Sequence, residues 1–145
     1  RGRAQLKDTV IWNIEQGFKL TPADLERAAS LQRALDARVA ASFSTHEFLL
    51  LPTVQVLPFP VEVEWVRAIE GVPMRTYIDW MATCYAISAT GLPAVSVPCG
   101  FSADGLPVGL QIVGRRHRDA DVLALARAFE QATQFARRRP LIGVE

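Results

Sequence analysis

The apolar positions of this chain change period several times, and each change marks an element. Over residues 4–16, Leu6, Val10, Ile11 and Ile14 recur at helical spacing, and Gly17 is a stop signal. Thr21-Pro22-Ala23-Asp24 then opens a second helix: Thr21 caps free N–H groups, Pro22 suits the first helical position, and Asp24 sits at the positive end of the dipole. It runs to about Ser42, with Leu25, Ala28, Leu31, Leu35 and Val39 on one side. Arg27, Arg33, Asp36 and Arg38 form its wet side. Phe48 to Leu51 is a short apolar run ended by Pro52, which reads as a buried strand. Pro52, Pro58, Pro60 and Pro73 make residues 52–73 a long connection, and such loops are usually functional or covered by a partner segment.

The second half is more strongly patterned. Residues 74–89 read as a helix with Ile78, Met81, Tyr85 and Ser88 on one face, closed by Gly91 and Pro93. Residues 94–101 and 108–113 read as a hairpin across Ala103-Asp104-Gly105, where Asp-Gly suits a turn that needs positive φ. Both strands are apolar on both faces, so both faces call for cover. Pro98 cannot donate to a ladder and predicts a bulge or an unpaired side. Asp119 is expected to cap a last helix to about Phe135, with Val122, Leu125, Ala126 and Phe129 inward. Helices alternate with about three strands, an α/β arrangement whose small sheet needs strands from elsewhere.

Composition narrows the class. Half of the residues are hydrophobic and 21% charged, the balance of a globular chain rather than a disordered one. A formal net charge of +1 gives no electrostatic case for nucleic acid or membrane. The basic runs Arg115-Arg116-His117-Arg118 and Arg137-Arg138-Arg139 lack interleaved aromatics and read as solvated surface. No apolar run reaches the roughly 20 residues that span a bilayer. Cys84, Cys99, His46 and His117 lie singly, without metal-ligand spacing. The cysteines read as core residues and reduced thiols of a cytoplasmic protein. His46 has no acidic orienter beside it and reads as a helix-end residue. The N-terminus is polar, unlike a secretory signal, and the absence of an initiating Met suggests a start within a larger sequence.

The most specific stretch is residues 91–114, GLPAVSVPCGFSADGLPVGLQIVG. With Glu47-Phe48-Leu49-Leu50-Leu51-Pro52-Thr53 before it and the helix from Asp119 after it, it resembles the C-terminal region of the amidase signature family. Gly91-Leu92-Pro93-Ala94 matches the family's turn, Ser96-Val97-Pro98-Cys99-Gly100-Phe101 its next strand, and residues 104–114 the hairpin return. Pro140 falls where a terminal Pro is common. The resemblance covers about four-fifths of the chain. Glu47 stands where Asp is usual, and Ser88 where an Asn precedes the turn.

The resemblance implies an α/β fold that is the C-terminal part of a mixed-sheet amidase signature architecture, with helices on a sheet incomplete in this chain. The regions are a helical lead-in (1–20), helix and strand (21–51), a Pro-rich connection (52–73), then helix, hairpin and closing helix (74–145). It implies hydrolysis of carboxamide C–N bonds by a Ser nucleophile, a second Ser in a cis peptide arrangement, and a Lys. A hydroxyl needs a base within hydrogen-bond reach, and preorganised N–H groups stabilise the oxyanion. No such set is found here: Lys7 and Lys19 are the only lysines, and no Gly-Gly or Ser-Ser pair occurs. No catalytic residue is carried over, and the isolated chain is expected to be inactive. Asp79, Trp80 and Ser88 are the candidate substrate-binding residues, with Asp79 placed to meet a substrate ammonium or to lie as a surface carboxylate. The implied partner is a small-molecule amide, with no cofactor, metal, nucleic acid or membrane, and a homo-oligomer is open. A second reading is a non-catalytic assembly module that self-associates through the apolar hairpin.

Overall fold

The computed structural model describes residues 2–138, so Arg139 and Pro140 lie outside the described residues. Two compact units form, Arg1–Arg38 and Val39–Glu145.

In the first unit, a 3-10 turn at Arg3–Gln5 precedes α1 (Asp8–Gly17), so the first helix begins later than its apolar spacing predicts. Lys7 flanks it without a capping side chain. The next helix, α2 (Pro22–Ser42), crosses the boundary between the units, and its start is the one expected. The Asp24 N–H donates to Thr21 Oγ1, and the Thr21 N–H and hydroxyl both donate to Asp24 Oδ2, a reciprocal cap that satisfies orphan donors. Neither helix buries a residue, and Leu25 and Leu31 are exposed.

The second unit is built on a three-stranded antiparallel sheet in the order β1-β5-β4, with β1 at Phe48–Pro52, β4 at Ala94–Phe101 and β5 at Pro107–Gly114. The outer strands β1 and β4 pair with no further strand among the described residues. β1 is not the buried strand its apolar run suggests. It lies at an edge, and Leu49 and Leu50 are exposed. The long connection holds a small hairpin of β2 (Ala68–Ile69) and β3 (Val72–Pro73), turned at Glu70 and Gly71, whose φ values of 48° and 76° suit a two-residue primed turn.

The hairpin of β4 and β5 carries the expected bulge. Register slips between Pro98 and Gly100, leaving Cys99 as the extra residue. Its loop differs from a two-residue Asp-Gly turn. The Gly105 N–H donates to the Ser102 carbonyl at 2.9 Å and the Ser102 N–H to the Leu106 carbonyl at 2.8 Å, so three residues close the loop. Only Gly105 there has positive φ, 78°. The residue after the turn reverses the chain, and Asp104 keeps ordinary dihedrals.

The last helix, α4 (Asp119–Thr133), packs on β4 and β5. Arg118, not Asp119, flanks its start; the Arg118 carbonyl accepts from Asp121 and Val122, which makes Asp119 the first helical residue. The predicted stripe is the observed one. Val122 and Ala126 join Val97 and Ile112 in the core, with Leu125 and Phe129 packed around them. Gly114 is required here, since a Cβ at that position would collide with Val122 Cγ2.

Candidate functional site

The opposite face of the sheet is built differently. Side chains alternate along a strand. Val97 and Ile112 face α4, which turns Ser96, Gly109, Gln111 and Val113 the other way. Ser96 Oγ lies 2.7 Å from Thr53 Oγ1, and Gly109 beneath them has no room for a Cβ. Gln111 is buried, and its Oε1 has no hydrogen-bond partner among the described residues.

The chain leaving β1 crosses this side and grips α3 (Ala82–Thr90) at its start. Met81 offers that helix no capping side chain. Gln55, 27 residues upstream, does so instead: the Ala82 N–H donates to Gln55 Oε1 at 2.5 Å. The Thr53 carbonyl accepts from Thr83 Oγ1 and from Cys84 Sγ, each at 3.1 Å. The far end of α3 closes on Gly91 with φ of 60°, as its glycine predicts.

Residues 74–78 are not helical, contrary to the spacing of their apolar positions. Asp79 accounts for this. Its Oδ2 accepts the N–H groups of Arg75 at 2.7 Å and Thr76 at 2.9 Å, and its Oδ1 accepts the Thr76 hydroxyl at 2.9 Å. Such local bonds compete with helix formation. A 3-10 turn, Asp79–Met81, follows before α3 begins. The Thr76 N–H, then the Thr76 hydroxyl, hold the Asp79 carboxyl below its ordinary pKa. Thr21 does the same to Asp24, with its hydroxyl first.

Trp80 projects from this turn into an aromatic group. Its ring meets Phe59 edge-on at 5.5 Å between centroids and Tyr77 at 6.0 Å. Trp80 and Phe59 line a cavity of about 200 Å³ with Val54, Leu57, Pro58 and the Pro107–Gly109 end of β5. Trp80 Nε1 is buried without a hydrogen-bond partner among the described residues. The structure thus brings Trp80 to a cavity and ties the Asp79 carboxylate into its own loop. Ser88 stands apart: it is exposed, and its carbonyl accepts the Gly91 N–H.

Phe59 and Gln55 were not legible as site residues, although Pro58 and Pro60 around Phe59 signal a fixed backbone. The basic run makes contacts within the protein. Arg115 donates to the His46 carbonyl, Arg116 to the Thr90 carbonyl, and Arg118 pairs with Asp121. A larger open groove of about 550 Å³ lies beside Arg115, Arg118 and Asp121, away from Trp80. His46 Nδ1 lies within hydrogen-bond distance of the Ser42 carbonyl and Thr45 Oγ1 at the end of α2. Lys7 and Lys19 are exposed, and Lys19 donates to Gln16. Among the described residues no His, Cys, Asp and Glu cluster could hold a metal, and no helix is long and apolar enough to cross a membrane.

Comparison with known proteins gives a consistent result. The family model described as Amidase matches residues 2–123. An acylamidase of Rhodococcus erythropolis is 33% identical over 139 residues, 95% of this chain and 29% of that protein. A glutamyl-tRNA(Gln) amidotransferase subunit from Moorella thermoacetica is 42% identical over 103 residues, 71% of this chain and 20% of that protein. The crystal structure of a bacterial aryl acylamidase of the amidase signature family superposes with a TM-score of 0.80 at 29% identity, covering 96% of this chain and 30% of that one. The chain therefore spans less than a third of the length of these relatives.

Proposed function

The chain belongs to the amidase signature family, and from that premise we propose that it is the C-terminal stretch of an amidase that hydrolyses carboxamide C–N bonds to a carboxylate and ammonia or an amine. The observation that carries this reading is the match of residues 2–123 to the amidase family, together with a likeness of fold to an aryl acylamidase that takes in nearly the whole chain. The acylamidase at 33% identity supports an amide substrate.

In this reading the reacting groups belong to polypeptide outside these residues. Acyl transfer needs an activated nucleophile beside donors aimed at the developing oxyanion. The role of this chain is to complete the central sheet through its open strand edges and to wall one side of the substrate pocket. Trp80 lines that wall, and the Asp79 loop holds Trp80 in place; Ser88 borders it only where the remaining fold reaches the exposed side of α3. The free thiols Cys84 and Cys99 support a reducing, cytoplasmic setting.

The test compares the 145-residue chain with the full-length product of its gene on simple aliphatic and aryl amides, reading release of ammonia or amine. Turnover is expected from the full-length protein and none from the chain alone. Turnover by the isolated chain, or none by the full-length protein, overturns the reading.

A further inference from the structure

The cavity beside Trp80 has the size, walls and unmet hydrogen-bond demand of a binding site for one aromatic ring. An apolar cavity of about 150 Å³ accommodates a benzene molecule. The present cavity, at about 200 Å³, has space for a ring and one small substituent. Its walls are almost wholly apolar, from Val54, Leu57, Pro58, Phe59 and the end of β5. Aromatic rings prefer edge-to-face neighbours, and Trp80 already holds Phe59 and Tyr77 in that manner.

The single polar feature is the Trp80 indole N–H. Buried indole donors almost always find an acceptor, and this one has none among the described residues. The cavity is also held by built contacts. Gln55 anchors the Pro-rich connection to the start of α3, and Asp79 fixes the turn that carries Trp80.

We propose that this cavity receives the aromatic ring of an aryl amide substrate, with a ring-borne hydrogen-bond acceptor meeting Trp80 Nε1–H. The proposal rests on the amidase reading and names its substrate class. Trp80 is then a specificity-determining residue that acts through substrate binding and takes no part in bond cleavage.

The experiment uses the full-length protein with three probes: 4-methoxyacetanilide, 4-methylacetanilide and propionamide. Trp80→Ala is expected to lower kcat/KM for both anilides about tenfold or more relative to propionamide, mainly through KM. Trp80→Phe keeps a ring and deletes the donor. It is expected to retain activity on 4-methylacetanilide while lowering the methoxy-to-methyl ratio about threefold to tenfold. Equal losses on anilides and propionamide, or an unchanged methoxy-to-methyl ratio in Trp80→Phe, overturn the proposal while leaving the amidase reading in place. A crystal structure of the full-length protein with one of its own side chains filling the cavity also overturns it. Hydrolysis of no amide by the unmodified full-length protein overturns the amidase reading, and this proposal falls with it.

Discussion

The two faces of the β1-β5-β4 sheet are made by the same three strands and have opposite characters. Under α4 the face is apolar and closed: Val97, Ile112, Val122 and Ala126 interlock, and the glycine at 114 is the only residue that lets the helix approach. On the other face, Ser96, Thr53 and Gln111 bring hydroxyls and an amide into the interior, and α3 is held by hydrogen bonds to an irregular segment. The first face is organised by apolar burial, which is non-directional and tolerates small adjustments. The second depends on directional polar contacts, and two of its polar atoms, Gln111 Oε1 and Trp80 Nε1, lack partners among the described residues. The cavity lies on the second side. A family fold of which this chain is less than a third is thus complete where α4 sits and open where Trp80 sits.

The largest expected effect is on the closed face. Ile112 is almost wholly buried among Val97, Val122 and Ala126. Ile112→Ala removes that contact and leaves a cavity, at a cost of about 2–5 kcal/mol. Urea unfolding followed by circular dichroism reads this as a lower midpoint with an unchanged slope. A loss under about 1 kcal/mol would mean that the α4 face is not close-packed, and the contrast between the faces would collapse.

Gln111 tests the other face, with a smaller effect and an unusual sign. Replacing it by Met keeps the volume and removes a buried acceptor with no partner among the described residues. In the isolated chain Gln111→Met is expected to be neutral or to stabilise by up to about 1 kcal/mol, since an unmet acceptor carries its full desolvation cost. In the full-length protein the same substitution measures whether the remaining fold supplies a donor. A loss of more than about 1 kcal/mol there, beside a neutral result in the isolated chain, would identify Gln111 as a docking point for that remainder. A comparable loss in both would show that the amide is already satisfied within this chain, and the polar face would be as complete as the apolar one.

What could be read from the sequence divides along the same line. The α4 stripe, the hairpin, the Pro98 bulge and the Gly91 stop are local patterns: a 3.6-residue period, an Asp-Gly turn, a missing donor, a helix-ending glycine. The opposite face is built from contacts that no period encodes. Gln55 caps a helix 27 residues away, and Phe59 reaches Trp80 across the Pro-rich connection. Trp80 was legible as a candidate because it precedes the Gly-Leu-Pro turn, but its partners were not. The exposure of β1 was misread for a related reason, since an apolar run gives the composition of a strand and not its place at an edge. The expected helix over residues 74–89 failed in its first part because the Asp79 carboxylate offers Arg75 and Thr76 a stronger local partner than a helical carbonyl.

The smallest effect is a difference in acid response between the two sides. Asp79 is held below its ordinary value of 3.8 by the N–H and hydroxyl of Thr76, so its loop is favoured by the ionised carboxylate. The sign follows from linkage: a group with a depressed folded pKa contributes fully above its unfolded value, and that contribution is lost as pH falls through the folded one. The Arg75 and Thr76 amides should therefore be protected from hydrogen exchange at about pH 6, well above the carboxylate range. They should lose that protection as the pH is lowered beneath 3.8, once exchange rates are corrected for intrinsic pH dependence. The amides of Val97 and Ile112, which lie under α4 among apolar side chains, should keep theirs over the same range. Asp79→Asn retains an acceptor oxygen without the titrating charge, and should abolish the acid-dependent step while leaving weaker protection near neutral pH. If Asp79→Asn shows the same acid-dependent step as the unmodified protein, the loop is held by something other than this carboxylate, and its rigid presentation of Trp80 has another cause.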